Sequence, residues 1–188
     1  MALTYSEMVP LGKSAPKFEL MGIDGKWHAL EDFKGKKALV VMFICKHCPY
    51  VIAVQDRLAA LAREFSPKGV QFVGINSNDT EKYPEDSPEN MKLQAEEVGF
   101  SFPYLIDETQ EVAKAYGAVC TPDIFVFDQD LKLRYRGRID DNWKDPAKVT
   151  KQDLKLALEA MLQGQPVGEN QIPSMGCSIK FKHNGHSE

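Results

Sequence analysis

The chain has 188 residues, 43% of them hydrophobic, and a formal net charge of −4 at pH 7. This size predicts one domain around one hydrophobic core. The weak negative charge argues against a nucleic-acid partner, and no apolar run approaches the roughly 20 residues that span a bilayer, so no membrane partner is expected either. The first residues lack a basic stretch followed by an apolar segment, which predicts a cytoplasmic protein.

Hydrophobic periodicity predicts alternating strands and helices. Residues 1–14 are expected to form an irregular N-terminal extension. Phe18–Leu20 and Trp27–Leu30 flank Asp24-Gly25, a pair that favours a tight turn, and together they predict a β-hairpin. Ala38–Ile44 is continuously apolar, as a strand buried on both faces of a sheet must be. We expect it to be the central strand.

An amphipathic helix is predicted after Cys48-Pro49, because apolar residues recur every three or four positions. Those residues are Val51, Val54, Leu58, Leu61 and Phe65. Val70–Ile75 then predicts a second buried strand, and the polar residues Asn76–Asp86 predict a loop.

The next segments carry helix-capping signals. Ser87 is expected to cap a second helix that stops at Gly99. After a short strand at Tyr104–Ile106, Asp107 is expected to cap a brief helix that ends at Gly117.

The last predicted elements follow a polar turn. Ile124–Phe127 and Leu131–Tyr135 predict an antiparallel hairpin. Thr150 and Asp153 suit a capping box for the final helix. Residues 164–188 show no strong period and are predicted to be an irregular C-terminal tail, which leaves residues 15–163 as the domain.

The chemistry is expected at Cys45-Lys46-His47-Cys48, where the central strand meets the first helix. A helix N-terminus stabilises an anion and so lowers the pKa of a thiol in its first turn. Two cysteines at this spacing can also close a disulfide. Lys46 and His47 add positive charge that favours thiolate, which predicts a couple more oxidising than thioredoxin at about −270 mV.

A metal-binding reading of the cysteines is the alternative. A C-x-x-C pair is half of a structural zinc site, and the sequence contains further residues that could complete it. These are Cys120, Cys177, His183 and His186. A second C-x-x-C is absent from the sequence, and the strand-to-helix context favours redox chemistry, so neither a metal nor a cofactor is expected.

The strand that ends in Phe43-Ile44, the CKHCP segment, and Cys120-Thr121-Pro122-Asp123 before an apolar strand resemble the redoxin branch of the thioredoxin superfamily. That branch groups alkyl hydroperoxide reductase, thiol-specific antioxidant and thioredoxin-like reductase domains. The resemblance covers about residues 15–163. It implies a thioredoxin fold of the α/β class, with three α/β/α layers and a mixed central sheet.

The resemblance also implies thiol-disulfide oxidoreductase activity on a protein or small disulfide substrate. Cys45 would attack the substrate disulfide and Cys48 would resolve the mixed disulfide. Pro122, in the cis form, would align the bound chain together with Thr121. An electron donor such as the thioredoxin or glutathione system would complete the cycle.

Several features depart from the family pattern. Leu39 stands where thioredoxin has a buried acidic residue, so proton transfer must use another group. In peroxiredoxins the peroxidatic cysteine falls near Cys48, but no arginine occurs beside Thr121-Pro122, which weakens the alternative of a thiol peroxidase. Cys120 and Cys177 are candidates for extra redox cysteines, although a buried inert thiol is the simpler expectation for Cys120.

Overall fold

The computed structural model describes residues 2–183. Its helices are α1 (Pro49–Phe65), α2 (Pro88–Val98), α3 (Glu111–Tyr116) and α4 (Asp153–Leu162). Its strands are β1 (Leu3–Tyr5), β2 (Glu19–Gly22), β3 (Trp27–Ala29), β4 (Ala38–Phe43), β5 (Val70–Asn76), β6 (Tyr104–Ile106), β7 (Cys120–Thr121), β8 (Asp123–Asp128), β9 (Leu133–Arg136) and β10 (Met175–Ser178). Among these residues, no helix has the length and apolar character that crossing a bilayer requires.

The main sheet has seven strands in the order β3-β2-β6-β5-β4-β8-β9. Strand β4 pairs in parallel with β5 and antiparallel with β8, so the sheet is mixed and β4 lies inside it, as its apolar sequence predicts. The predicted N-terminal hairpin is present as β2 and β3, with the turn at Asp24-Gly25 and Gly25 at φ 74°.

Helices cover both faces of this sheet and bury its two sets of side chains. Val40 and Met42 of β4 belong to a core cluster with residues of α1 and α4. Leu39 and Val41 point to the opposite face and belong to a second cluster with residues of α3. All five apolar positions predicted for the first helix are buried. The predicted three-layer thioredoxin fold is therefore confirmed.

The predicted cap at Ser87 is confirmed, and Asp107 accepts from the first turn of α3 although Gln110 is the N-cap residue. Ser87 Oγ accepts a hydrogen bond from the backbone N–H of Asn90 at 3.3 Å. The Asp107 carboxylate accepts from the backbone N–H groups at the start of α3, those of Val112 and Ala113. The capping box at α4 is wrong, because the Thr150 hydroxyl donates to Asp141 instead.

A small second sheet joins the two ends of the described chain. Strand β10 of the tail pairs antiparallel with β1 on one side and with β7 on the other. Residues 1–14 and 164–188 were both predicted to be irregular, and each prediction is wrong at one strand, β1 and β10, which exist because they pair with each other. Cys177 and Ile179 are buried in the two core clusters, so the tail packs onto the domain.

Asp107 provides a test of the capping contacts. Its buried carboxylate accepts from Ser77 Oγ at 2.7 Å as well as from the two N–H groups of α3. Replacing it by alanine leaves buried donors without acceptors, so we expect Asp107→Ala to lower the free energy of unfolding by about 2–4 kcal/mol. Urea denaturation measures this, and a loss within error of zero would contradict the cap. Thr150→Ala, at a residue that does not cap α4, is the comparison variant.

Candidate active site

The two predicted redox cysteines lie at the junction of β4 and α1. Cys45 follows β4 after Ile44, and Cys48 is the N-cap residue of α1, with Pro49 at the first helical position. Proline suits this position because its φ is already helical and its missing N–H would be unpaired there. Both cysteines are fully buried free thiols.

The loop that contains Pro122 packs against both sulfur atoms. The Thr121-Pro122 peptide bond is cis, as the family resemblance implies. Cys45 Sγ lies 3.6 Å from Thr121 Oγ1, and Cys48 Sγ lies 3.2 Å from the backbone oxygen of Thr121. The structure therefore brings together Cys45, Cys48, Thr121 and Pro122, residues that are up to 77 positions apart in the sequence.

The two thiols interact and titrate as a pair. The pKa of Cys48 is lowered to about 5, chiefly by a hydrogen bond from Cys45 and also by one from the backbone of Val51 in the first turn of α1. The pKa of Cys45 is raised well above its usual value, chiefly because Cys45 donates that bond and because it is buried. Once the pair has lost one proton, the two sulfurs share the other, and the lower pKa is that of Cys48.

Asp86 is a site residue that the sequence analysis missed. Its carboxylate is fully buried and accepts from the backbone N–H groups of Lys46 and His47, at 2.8 and 3.0 Å. It also accepts from His47 Nδ1 at 2.5 Å and from Asn78 Nδ2 at 2.8 Å. Its position at the end of a polar loop gave no signal of this role, because the contact spans about 40 residues.

The electrostatics around Cys45 differ from those predicted. Lys46 supplies its backbone N–H to Asp86, and His47 pairs with the same carboxylate, so its positive charge is balanced. The Asp86 charge raises the pKa of Cys45, whereas the hydrogen bond to Asp86 raises the pKa of His47. Leu39 carries no acidic group, as noted from the sequence, and the buried carboxylate beside the cysteine segment is that of Asp86.

The remaining cysteines and histidines that could have bound zinc do not all lie at the Cys45–Cys48 pair. Cys120 is buried, and burial raises its pKa far above that of a reactive thiol. Cys177 lies on β10 opposite Thr121, where its thiol interacts with that of Cys48. His183 ends the described range, and His186 lies outside it.

A cluster of three potential metal ligands overlaps the site. Ligand atoms of Cys45, His47 and Asp86 lie within 4.8 Å of one another. Both oxygens of Asp86 already accept hydrogen bonds, and these hold the Cys45–Cys48 segment in place. A metal at this point would have to compete with those bonds.

Comparison with known proteins agrees with this site. The sequence profile of the AhpC/TSA family matches residues 11–136. The chain belongs to the AhpC/TSA family. It is 27% identical to the thiol-disulfide oxidoreductase ResA of Geobacillus thermodenitrificans over 160 residues, which are 84% of this chain and 82% of ResA. This chain is thus an oxidoreductase of the redoxin branch.

Solved structures extend the similarity to the whole fold. An uncharacterized conserved protein from Geobacillus kaustophilus is 57% identical, with a TM-score of 0.94 over 98% of this chain and 99% of that one. A hypothetical protein from Sinorhizobium meliloti is 41% identical, with a TM-score of 0.92 over 96% of this chain and 100% of that one. A thiol:disulfide interchange protein from Chlorobium tepidum shares the fold at 20% identity, with a TM-score of 0.63 over 82% of this chain and 99% of that one.

Asp86→Asn tests the charge pairing in this AhpC/TSA protein. The raised pKa of His47 means that its protonated form stabilises the fold fully below the usual pKa of about 6.5, and that this stability is lost as pH rises through the raised value. Without the negative charge we expect the pKa of His47 to fall and this pH dependence to weaken. NMR titration of the imidazole measures the first effect. Asp79→Asn, in the same loop, is the control, and an unchanged His47 pKa in Asp86→Asn would refute the pairing.

Gly176→Ala tests whether β10 shields the cysteines. A Cβ at residue 176 would lie 1.8 Å from the backbone oxygen of Thr121, so β10 must move away from β7. Overpacking of this kind costs about 1–3 kcal/mol, and we expect alkylation of Cys48 by iodoacetamide to accelerate about tenfold or more. Gly168→Ala in the same tail meets nothing within 4 Å and is the matched control. Equal rates in the two variants would show that β10 does not limit access.

Proposed function

We propose that the protein exchanges disulfides through Cys45 and Cys48, which alternate between two thiols and one disulfide. The carrying observation is that the two buried thiols interact with each other at the N-terminus of α1 and against Thr121. A thiolate is the attacking species in disulfide exchange, and the lowered pKa of Cys48 keeps one negative charge on the pair at neutral pH. The general similarity to ResA supports the same activity.

The order of attack depends on one proton. The family resemblance assigns the first attack to Cys45, whereas Cys48 has the lower pKa of the two thiols. For Cys45 to attack, its proton must move to Cys48 along the hydrogen bond between them. Cys45 then forms a bond to one sulfur of the substrate and the other sulfur leaves. Cys48 next gives its proton to the first leaving sulfur and attacks Cys45; the bond between Cys45 and the substrate breaks, the second substrate sulfur leaves as a thiolate, and the pair becomes a disulfide.

A protein disulfide is the substrate that the surroundings of Pro122 favour. Strand β7 lies next to the two sulfurs, and its backbone groups pair with β10 of the chain's own tail, which shows that they accept an extended partner. A cavity of about 200 Å³ adjoins it, lined by residues that include Tyr5, Tyr50, Pro122, Trp143 and Met175. The aromatic side of this lining suits an apolar side chain beside the substrate cysteine, and Arg138, Asp140 and Asp141 line the rest. The thioredoxin or glutathione system as electron donor, and the cytoplasmic location, stay predictions.

A thiol peroxidase is the second candidate, because the pKa of Cys48 is low and Cys48 falls near the peroxidatic position of peroxiredoxins. The buried Arg136 does not provide the missing arginine. Its guanidinium pairs with Asp123 at 3.1 Å and lies over the Phe125 ring. Disulfide exchange therefore remains the primary proposal.

Reduction of insulin disulfides, with dithiothreitol as the final donor, tests the proposal. We expect the wild type to accelerate it, and Cys45→Ser and Cys48→Ser each to abolish the acceleration, because one thiol alone cannot complete the cycle. Cys48→Ser should accumulate a mixed disulfide through Cys45, detected by mass spectrometry. Cys120→Ser, which removes a buried thiol outside the pair, is the matched control and should retain activity.

Two results would contradict the proposal. A wild type that is inactive on insulin and carries bound zinc would favour a metal-binding module. Hydrogen peroxide turnover at about 10⁴ M⁻¹s⁻¹ or more would favour the peroxidase.

A further inference from the structure

Strand β10 of the tail occupies the open edge of β7, next to the cysteine pair. Cys177 is the residue opposite Thr121 in this antiparallel pairing, and Ser178 is opposite Cys120. The close approach of β10 to β7 depends on Gly176, since any side chain there would collide with the backbone of Thr121. The chain's own tail therefore pairs with the backbone groups that a substrate strand would use.

The tail is anchored on both sides of Cys177. Before it, Ser174 Oγ donates to the backbone oxygen of Pro122 at 2.6 Å. After it, the backbone N–H of Lys180 donates to Asn78 Oδ1 at 2.8 Å, and Asn78 in turn donates to Asp86. These contacts hold the Cys177 sulfur in a defined place, buried against the site rather than exposed on a loose tail.

Three sulfurs thus meet in one buried cluster. Cys45, Cys48 and Cys177 belong to the same core cluster, and Cys48 interacts with each of the other two. Cys48 Sγ is also 3.2 Å from the backbone oxygen of Thr121, the residue that faces Cys177 across the strand pair. Cys120 is excluded from this role, because its sulfur points to the backbone oxygen of Pro122.

We propose that Cys177 is a third redox thiol, which exchanges with the Cys45–Cys48 disulfide and forms a Cys48–Cys177 disulfide. This deepens the proposed function and rests on it, because substrate reduction supplies the Cys45–Cys48 disulfide. Cys177 loses its proton and attacks Cys48. The bond between Cys45 and Cys48 breaks, the bond between Cys48 and Cys177 forms, and Cys45 leaves as a thiolate that takes up a proton. No electrons are gained or lost overall.

The two disulfides differ in which thiol is free and in how firmly the tail is held. With Cys48 bonded to Cys177, the tail is covalently fixed on β7, and Cys45 is a free thiol. With Cys45 bonded to Cys48, the tail is held only by hydrogen bonds and packing, so it can leave the edge of β7 to the thiol donor that reduces this disulfide. Burial raises the pKa of Cys177 to about 12, so exchange is expected to accelerate as pH rises.

Trapping the second disulfide tests the proposal. Cys45→Ser removes the thiol that competes with Cys177 for Cys48. Oxidation of this variant with diamide at mildly alkaline pH should lower the mass of the chain by that of two hydrogen atoms. Proteolysis without reductant should then yield a peptide pair joined by Cys48 and Cys177. The variant Cys45→Ser/Cys120→Ser should form the same crosslink as Cys45→Ser. The variant Cys45→Ser/Cys177→Ser should lose it.

Displacement of β10 tests the same crosslink independently. Cys45→Ser/Gly176→Ala should lose most of the crosslink because β10 is displaced, whereas Cys45→Ser/Gly168→Ala should keep it. Wild-type protein, oxidised and then quenched in acid, should contain both the Cys45–Cys48 and the Cys48–Cys177 isomers. Only Cys45–Cys48 in the wild type, together with no internal crosslink in Cys45→Ser, would overturn the proposal.

Failure here is distinguishable from failure of the proposed function. Wild-type insulin reduction without any Cys48–Cys177 crosslink would refute the third thiol and leave the dithiol activity intact. A crosslink in a protein that does not reduce insulin would refute the dithiol activity and show that Cys48 and Cys177 still form a disulfide.

Discussion

The carboxylate of Asp86 is the contact on which the geometry of the site depends. It joins the loop after β5 to the segment between β4 and α1, through the N–H groups of Lys46 and His47 and through the His47 ring. Those N–H groups precede α1 and have no helical partner, so a buried acceptor satisfies them. The hydrogen bond to Cys48 and burial raise the pKa of Cys45 most, and the Asp86 charge raises it further.

A second constraint comes from the chain's own tail. Asn78 contacts both Asp86 and the backbone of Lys180, so the loop that positions the cysteines also positions the strand that covers them. The position of β10 over the site and the position of the cysteines therefore depend on the same loop. Buried thiols are protected from nonspecific oxidation, and β10 pairs with β7 directly beside them.

The sequence predicted the parts of the site that carry local signals. The spacing of Cys45 and Cys48 and the strand-to-helix change of period indicated the dithiol, and family similarity indicated Pro122. Asp86 and the position of Cys177 carried no such signals. Each depends on contacts between segments 40 or more residues apart, Lys46 with Asp86 and Cys48 with Cys177, and a polar loop or an aperiodic tail does not reveal its partner.

By itself, the sequence determined the elements whose buried positions follow from the spacing of their apolar residues. The all-apolar β4, the amphipathic α1, the Ser87 and Asp107 caps and the hairpin at Asp24-Gly25 follow from side-chain patterning and local backbone preferences. Tertiary structure alone decided that Thr150 binds Asp141 rather than capping α4, and that Met175–Ser178 forms a strand. The physical reason is that a short polar or glycine-containing segment has no strong preference of its own, so whichever backbone edge or buried acceptor lies beside it decides its conformation.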